Sequence, residues 1–370
     1  MTDHPYRNLP SHCFWRQAHN VNSIDEVDPV VAVPFRIDPS ESVATAGSCF
    51  AQHIARHLSA SGYNYMVTEE AHPLLPPEVA RQHNYGIFTA RYGNLYTARQ
   101  LLQLFKRAYG LFKPADDMWV NEDDRFLDPY RPTIEPKGFG SRREFELDRE
   151  RHFAAIRAAF EQMDVFIFTF GLTEAYVSLE DGAVYPICPG VAGGRFDPQK
   201  HVFKNFTAQE VTADFLEFID LVRAGNPRVR FIITVSPVPL VATGEATKSV
   251  ISATVYSKSV LRIACEEISK SRPDVAYFPS FEIVTGNYTR GQYFADDLRS
   301  VTEAGVAHVM KIFMKHFAVP PNEGRGFFGK LRRRSAAVAE VETLKEVERA
   351  LDLICEEELL GEGLPQSEPR

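Results

Sequence analysis

Cysteine is scarce in this sequence, and no two cysteines stand close enough to form a CxxC pair. The five are Cys13, Cys49, Cys188, Cys265 and Cys355. An odd number of widely spaced cysteines argues against a disulfide framework and against a structural zinc site, and it indicates a reducing compartment. We therefore predict no metal centre and no resident cofactor.

Long apolar runs are also missing. No stretch of about 18 consecutive apolar residues occurs, which argues against a membrane-spanning helix. The first residues do not combine a basic stretch with an apolar one, as a secretory signal does. We expect a cytoplasmic protein without a membrane span.

An excess of positive charge is absent too. The formal net charge is −8 at pH 7, so the field around the protein repels a phosphate backbone, and nucleic acid is not an expected partner. One short basic cluster lies at residues 330–334, and we interpret it as a solvated run in a linker.

What the sequence does contain is an alternation of apolar runs and helical patterns. Runs rich in β-branched and aromatic residues predict buried strands at residues 43–46, 165–170, 230–235 and 275–278, with a weaker one at 63–67. Segments with helical period lie at residues 50–61, 99–109, 151–162, 208–223, 250–271 and 302–315. The alternation predicts an α/β domain with a parallel sheet covered on both faces. The long connections 113–143 and 178–206 are typical of functional loops.

A change of composition divides the chain near residue 320. Residues 1–320 form the predicted α/β domain, and residues 321–370 form a linker and an amphipathic C-terminal helix. The helix carries an apolar stripe at Val338, Val341, Leu344, Val347, Leu351 and Ile354. Such a stripe either packs back on the domain or pairs with a second copy in a homo-oligomer, and the sequence leaves both open.

The end of the first predicted strand is the strongest candidate for a reactive site. Ligands of parallel α/β sheets bind beyond the carboxyl ends of the strands, and Ser48 and Cys49 stand there, where a helix begins. Backbone N–H groups at a helix N-terminus stabilise a thiolate or a developing oxyanion. A capping serine and a buried apolar cysteine are the simpler interpretation.

The segment Gly47-Ser48-Cys49-Phe50-Ala51 resembles the motif that names the GSCFA family. Further stretches that resemble this family lie at residues 91–97, 170–175, 236–240 and 256–262. The family is similar to SGNH/GDSL hydrolases. The resemblance implies a three-layer, flavodoxin-like fold that cleaves or transfers acyl groups, often on carbohydrates.

Site residues follow from the same resemblance. Its first block places Cys49 at the nucleophile position, with Ser48 as the alternative. The oxyanion and the substrate would be held by Gly93 and Asn94 from the second block, and by Gly171, Thr173 and Glu174 from the third. Thr173 stands where the family pattern of the hydrolases has a hydrogen-bonding asparagine.

The last block matches at Asp297, but Ser300 occupies the position of the catalytic histidine. A serine is no base near neutral pH, so another group must activate the nucleophile if the chain is an enzyme. His201 in the long loop is the first candidate, and His72 and His83 are others.

The resulting expectation is an acyl esterase or O-acyltransferase that forms an acyl-enzyme at the GSCFA motif, with a small ester or a glycan precursor as substrate. Acyl-CoA becomes a co-substrate if the reaction is transfer. The alternative is a catalytically inactive binding module for an acylated glycan or a protein partner. Redox sensing by Cys49 is a third hypothesis.

Overall fold

The computed structural model of the protein describes residues 4–320 and 356–360. Its strands are β1 (Val43–Gly47), β2 (Trp119–Val120), β3 (Phe126–Leu127), β4 (Val165–Phe170), β5 (Glu174–Ser178), β6 (Val184–Tyr185), β7 (His201–Asn205), β8 (Arg230–Val235) and β9 (Val275–Tyr277). Its α-helices are α1 (Trp15–Ala18), α2 (Ala51–Ala60), α3 (Pro77–Gln82), α4 (Ala98–Ala108), α5 (Arg142–Gln162), α6 (Ala208–Gly225), α7 (Val250–Ser271), α8 (Ser280–Thr285) and α9 (Glu303–Phe317).

A parallel sheet of four strands, in the order β1-β4-β8-β9, forms the centre of the described chain. Every residue of β1 and β4 is buried, because apolar residues on both sides of these strands face helices. The predicted α/β class and four of the predicted strands are therefore confirmed. The weaker fifth run makes only a single parallel bridge, between Val43 and Tyr65.

Helices cover both faces of this sheet and give three layers. On one face Phe166, Phe168 and Phe170 of β4 pack in one apolar cluster with residues of α4, α6 and α7. On the other face Val165 and Ile167 pack with residues of α2 and α9. Alternate residues of one strand thus contribute to separate cores, as the pleat requires.

Three features differ from the sequence-based expectation. Helix α5 begins nine residues earlier than predicted, because Ser141 caps it by accepting a hydrogen bond from the Glu144 N–H at 3.2 Å. The connection 113–143 contains the β2–β3 hairpin. The segment 174–205 contains a second, antiparallel sheet in the order β6-β5-β7. Only three residues separate its strand β5 from the end of β4.

The predicted C-terminal helix lies outside the described residues, so the division at residue 320 stays a prediction. A short 3₁₀ helix is described at Glu356–Leu360. Its Glu357 and Glu358 form ion pairs with Arg299 of the domain, at 3.2 and 3.3 Å. Across residues 4–320 and 356–360, no helix is long and apolar enough to cross a membrane.

Candidate functional site

The turn after β1 has a backbone that only glycine accommodates. Gly47 has a φ of +138°, and a Cβ added there would lie 2.3 Å from the Thr169 carbonyl oxygen. The next amide, of Ser48, donates to that same oxygen at 3.1 Å. The chain after β1 therefore crosses the carboxyl end of β4, which places Ser48 beside the segment that follows β4.

Ser48 faces this neighbouring segment directly. A Cβ added to Gly171 would lie only 3.0 Å from the Ser48 Cβ, so glycine is needed for the close approach. Ser48 is 3% exposed. Its hydroxyl has no hydrogen-bond partner among the described residues, and neither do the buried hydroxyls of Thr169 and Thr173.

Cys49 has different surroundings from the serine beside it. It is 4% exposed, and it belongs to the apolar cluster on the α2 and α9 face, together with Phe50, Ile54 and Phe278. The two candidate nucleophiles are therefore adjacent in sequence, but one lies in a polar group and the other in an apolar core.

Helix α7 contributes two polar residues to which the sequence analysis assigned no role. Lys258 is 2% exposed, and its Nζ donates to the Gly171 carbonyl at 2.7 Å. The neighbouring Ser257 hydroxyl accepts from the Thr173 N–H at 3.1 Å. We call Ser48, Thr169, Gly171, Thr173 and Lys258 the strand-end group. Both Ser257 and Lys258 lie in the stretch 256–262, which resembles the family, and this resemblance is the sequence signal for them.

The loop with Gly93 and Asn94 is fixed to both strand ends. Gly93 has a φ of +68°. The N–H of Leu95 donates to the Gly47 carbonyl at 2.8 Å, and the Tyr96 carbonyl accepts from the N–H of Gly171 at 3.0 Å. Asn94 is buried between these anchors. Because the Gly171 N–H is engaged with Tyr96, it could serve an oxyanion only after an exchange of partners.

A buried ionic network lies behind this loop. The Arg91 N–H donates to Glu69 Oε2 at 2.8 Å, and His152 Nδ1 lies 2.7 Å from the same oxygen. Burial opposes the ionisation of Glu69, but the charge of His152, its hydrogen bond and the charge of Arg131 outweigh burial and lower the pKa of Glu69 to about 2. Glu69 therefore remains a carboxylate under the loop.

The network continues through arginines that are almost fully buried. Arg91 pairs with Asp148 at 2.8 Å and with Glu135 at 2.7 Å. Arg131 pairs with Asp128 and with Asp148, each at 2.8 Å. We call Glu69, Arg91, Asp128, Arg131, Asp148 and His152 the ionic network. It fixes the backbone on which Gly93 and Asn94 stand.

His201 lies away from the strand-end group. It pairs with Ser178 at one end of β5, whereas Thr173 precedes the opposite end of that strand. Its Nδ1 accepts from the Asp197 N–H at 3.1 Å, and its ring packs near Tyr185 and Phe196. It lines an open cavity of about 1060 Å³ at this end of the second sheet.

The other candidate bases also have partners elsewhere. His83 Nδ1 lies 2.6 Å from a Glu135 carboxylate oxygen, and His72 Nδ1 accepts from the Leu74 N–H at 3.2 Å. Neither of these contacts involves Ser48. The roles that the sequence suggested for these histidines stay predictions.

The two acidic candidates, Glu174 and Asp297, each accept hydrogen bonds from groups outside the strand-end group. Glu174 accepts from the Thr243 hydroxyl at 2.8 Å and from the Gly244 N–H at 3.1 Å, so it anchors the loop after β8. Asp297 accepts from the Ser300 hydroxyl at 2.5 Å. This hydrogen bond, and those from backbone N–H groups, lower the pKa of Asp297.

The fold and the strand-end geometry define an α/β protein whose polar site lies at the carboxyl ends of its parallel strands. The model of the GSCFA family matches residues 42–313, and the chain belongs to this family. The match includes β1, the loop at Gly93, and the whole strand-end group.

The other comparisons add little. A solved acetyl xylan esterase from the rumen bacterium Butyrivibrio proteoclasticus matches with a TM-score of 0.26 and 10% sequence identity, over 75% of this chain and 64% of that one. The match thus spans less than two thirds of the esterase, and a likeness this weak carries no argument about chemistry. A search of curated proteins finds no match.

Proposed function

We propose that this protein hydrolyses or transfers acyl esters, with Ser48 as the nucleophile and Lys258 as the group that accepts its proton. One observation carries the proposal. The buried and unbonded hydroxyl of Ser48 lies beside Gly171, and the buried Lys258 Nζ donates to the carbonyl of that same glycine.

The surroundings of the two candidate nucleophiles favour Ser48 over Cys49. A nucleophile needs a neighbouring group that takes its proton and donors that receive the developing charge. Ser48 lies beside Thr169 and beside Gly171, whose carbonyl binds Lys258, whereas Cys49 packs with apolar side chains. Cys49, which the family register favours, remains the alternative.

Lysine replaces histidine in this proposal because Ser300 stands where the hydrolases have their histidine. Serine–lysine pairs are an established variant of the serine–histidine arrangement. Lys258 is held in place by its 2.7 Å bond to the Gly171 carbonyl, and Gly171 separates it from Ser48. Catalytic hydrogen bonds often tighten only when a substrate is bound.

The reaction would run through an acyl-enzyme. The Ser48 oxygen attacks the ester carbonyl while its proton passes to Lys258, which acts in its neutral amine form, and the negative charge forms on the carbonyl oxygen. The side-chain amide of Asn94, the hydroxyl of Thr173 and the N–H of Gly93 are the donors we assign to that oxygen. Collapse of the intermediate releases the alcohol with the proton from Lys258, and water or another hydroxyl then takes the acyl group.

The substrate that we propose is a small ester or an acylated glycan, with acyl-CoA as the donor if the reaction is transfer. This part rests on the family resemblance alone. Because Ser48 is only 3% exposed, acylation requires the surrounding chain to open. Small esters are therefore the appropriate first probes.

The test is turnover of p-nitrophenyl acetate together with intact-mass detection of an acetyl adduct. We expect Ser48→Ala and Lys258→Met to abolish both, while Cys49→Ala keeps most of the turnover. Lys248→Met is the matched control, because Lys248 lies on the surface and pairs with Glu245 at 2.9 Å. Loss of the adduct only in Cys49→Ala would identify Cys49 as the nucleophile.

A binding module is the second candidate, and the segment at Asp297 favours it. Its carboxylate is bonded to Ser300, so no imidazole stands at this position of the pattern. Absence of both adduct and turnover, with p-nitrophenyl acetate and with acetyl-CoA, would support a module that binds acylated glycans. Binding of an acetylated oligosaccharide that is weakened by Asn94→Ala would then identify the same site.

A further inference from the structure

A second cavity opens one helical turn after the GSCFA motif. It lies between α2 and the segment 67–87, and its volume is about 790 Å³. Gln52, four residues after Ser48, lines it at one side. Much of the remaining wall is apolar and includes Val67, Pro77, Ala80 and Ile87.

Two arginines line this apolar cavity. Arg56 extends from α2 and Arg81 from α3. Arg56 donates to the Gln52 side-chain oxygen at 3.4 Å, a neutral partner. Exposed carboxylates of Glu70 and Glu78 also line the cavity, yet no ion pair joins either of them to Arg56 or Arg81 in the part of the chain that the structure describes.

Arg56 and Arg81 repel each other, and among the described residues neither is joined to an acid by an ion pair. Burial and then the charge of Arg81 lower the pKa of Arg56 to about 10. Burial, followed by the charges of Arg56 and His57, lowers the pKa of His53 to about 3. Elsewhere in the described chain, buried arginines such as Arg91 and Arg131 have carboxylate partners. The half-buried Arg56 departs from that pattern, and the exposed Arg81 supplies the second positive charge of the cavity.

We propose that this cavity binds a ligand that carries a phosphoryl group on an apolar or aromatic body. Guanidinium groups bind phosphate oxygens in pairs, and a dianion neutralises both Arg56 and Arg81. The apolar wall accommodates the rest of the ligand. The proposal does not depend on the reaction at Ser48.

Binding measured by isothermal titration calorimetry on the full chain tests this proposal. The probes are phenyl phosphate, inorganic phosphate and benzoate at constant ionic strength. We expect phenyl phosphate to bind most tightly, inorganic phosphate more weakly because it leaves the apolar wall unfilled, and benzoate weakest because it carries a single charge.

Charge-neutralising variants localise the site. Arg56→Gln and Arg81→Gln should each weaken phenyl phosphate binding about tenfold or more, since a hydrogen bond to a charged group is lost. Arg228→Gln is the matched control, an exposed arginine that precedes β8, and it should bind as the unchanged protein does. Circular dichroism establishes that each variant is folded.

Two results would overturn the proposal. One is equal affinity for phenyl phosphate in all three folded variants, which would assign any binding to non-specific charge. The other is no heat of binding with either phosphate up to millimolar concentrations. Preference for benzoate over phenyl phosphate would also contradict it, because that result assigns the cavity to carboxylates.

Discussion

The ionic network and the strand-end group both adjoin the Gly93 loop, but ion pairs join the network, whereas the strand-end group consists mainly of uncharged polar groups. In the network, Arg91, Arg131 and Asp148 are joined by ion pairs of 2.8 Å. In the strand-end group, the hydroxyls of Ser48 and Thr173 are buried without a hydrogen-bond partner in the described chain. Apart from the half-buried Asp148, the members of both groups are almost fully removed from solvent.

This difference indicates separate roles: the network supports the backbone, and the strand-end group performs the proposed chemistry. A buried polar atom without a partner costs stability, so natural proteins rarely keep one without a use for it. A network of buried ion pairs instead holds backbone in place, and it is costly to disrupt, although Glu69 Oε1 and His152 Nε2 also lack a hydrogen-bond partner in the described chain. We infer that the network holds the loop still, while the strand-end group keeps hydrogen-bonding capacity for a ligand.

Removing one carboxylate from the network should have the largest effect. Asp148→Ala leaves both Arg91 and Arg131 short of a partner, and breaking a buried ion pair typically costs about 3–5 kcal/mol of unfolding free energy. Urea denaturation measures this loss. The matched control is Glu146→Ala on the same helix, which removes only the exposed pair with Arg142 and should cost less than about 1 kcal/mol.

A loss in Asp148→Ala no greater than that in Glu146→Ala would contradict the supporting role of the network. It would mean that the two arginines find water or other acceptors at little cost. The comparison between the two groups of polar residues would then have no energetic basis.

The second-largest expected effect is a loss of unfolding free energy in acid. Glu69 has its pKa lowered from 4.5 to about 2 in the folded protein, so its contribution is present above pH 4.5 and is lost as the pH falls through 2. By linkage the shift corresponds to about 3 kcal/mol. The pKa of His152 is also lowered, because burial disfavours its charged form, and this adds a loss of stability as the pH falls below 6.5.

Denaturation of the unchanged protein and of Glu69→Gln between pH 7 and pH 3 measures this contribution. Glu69→Gln should be the less stable at pH 7, and the difference in unfolding free energy should narrow as the pH falls from 4.5 to 3. A gap that stays constant with pH would show that the charge of Glu69 does not matter. The exposed Glu146 again provides the control, since Glu146→Gln should give a small difference throughout.

Much of the fold was predictable from sequence, because its signals are local. Apolar runs with turn formers at their ends located β1, β4, β8 and β9 within about a residue of where they lie. The same reasoning placed Ser48 and Cys49 at a strand end. The second sheet was missed, since β5 and β7 are mostly half-buried and carry no continuous apolar run of the kind that identifies β1 and β4.

The contacts that distinguish the site were beyond the reach of sequence patterns. Lys258 binds Gly171, which lies 87 positions earlier in the chain. The sequence pattern of α7 does not indicate which residue its one buried lysine contacts. The preference for Cys49 over Ser48 came from the register of a motif. Burial of the two side chains in different surroundings is a tertiary property, and only the structure separates them.

The smallest expected change in unfolding free energy is that of a substitution in the strand-end group. Whether this change is a gain or a loss tests the comparison between the two groups most directly. Thr169→Val replaces a buried hydroxyl that has no partner in the described chain with a methyl group of similar shape. Since no hydrogen bond is lost, the unfolding free energy should stay the same or rise by up to about 1 kcal/mol. Ser257→Ala is the control with the opposite sign, because it removes an acceptor of the Thr173 N–H and should cost about 1–3 kcal/mol. A clear loss of stability in Thr169→Val would mean that its hydroxyl is used within the folded chain, and the strand-end group would then resemble the network rather than contrast with it.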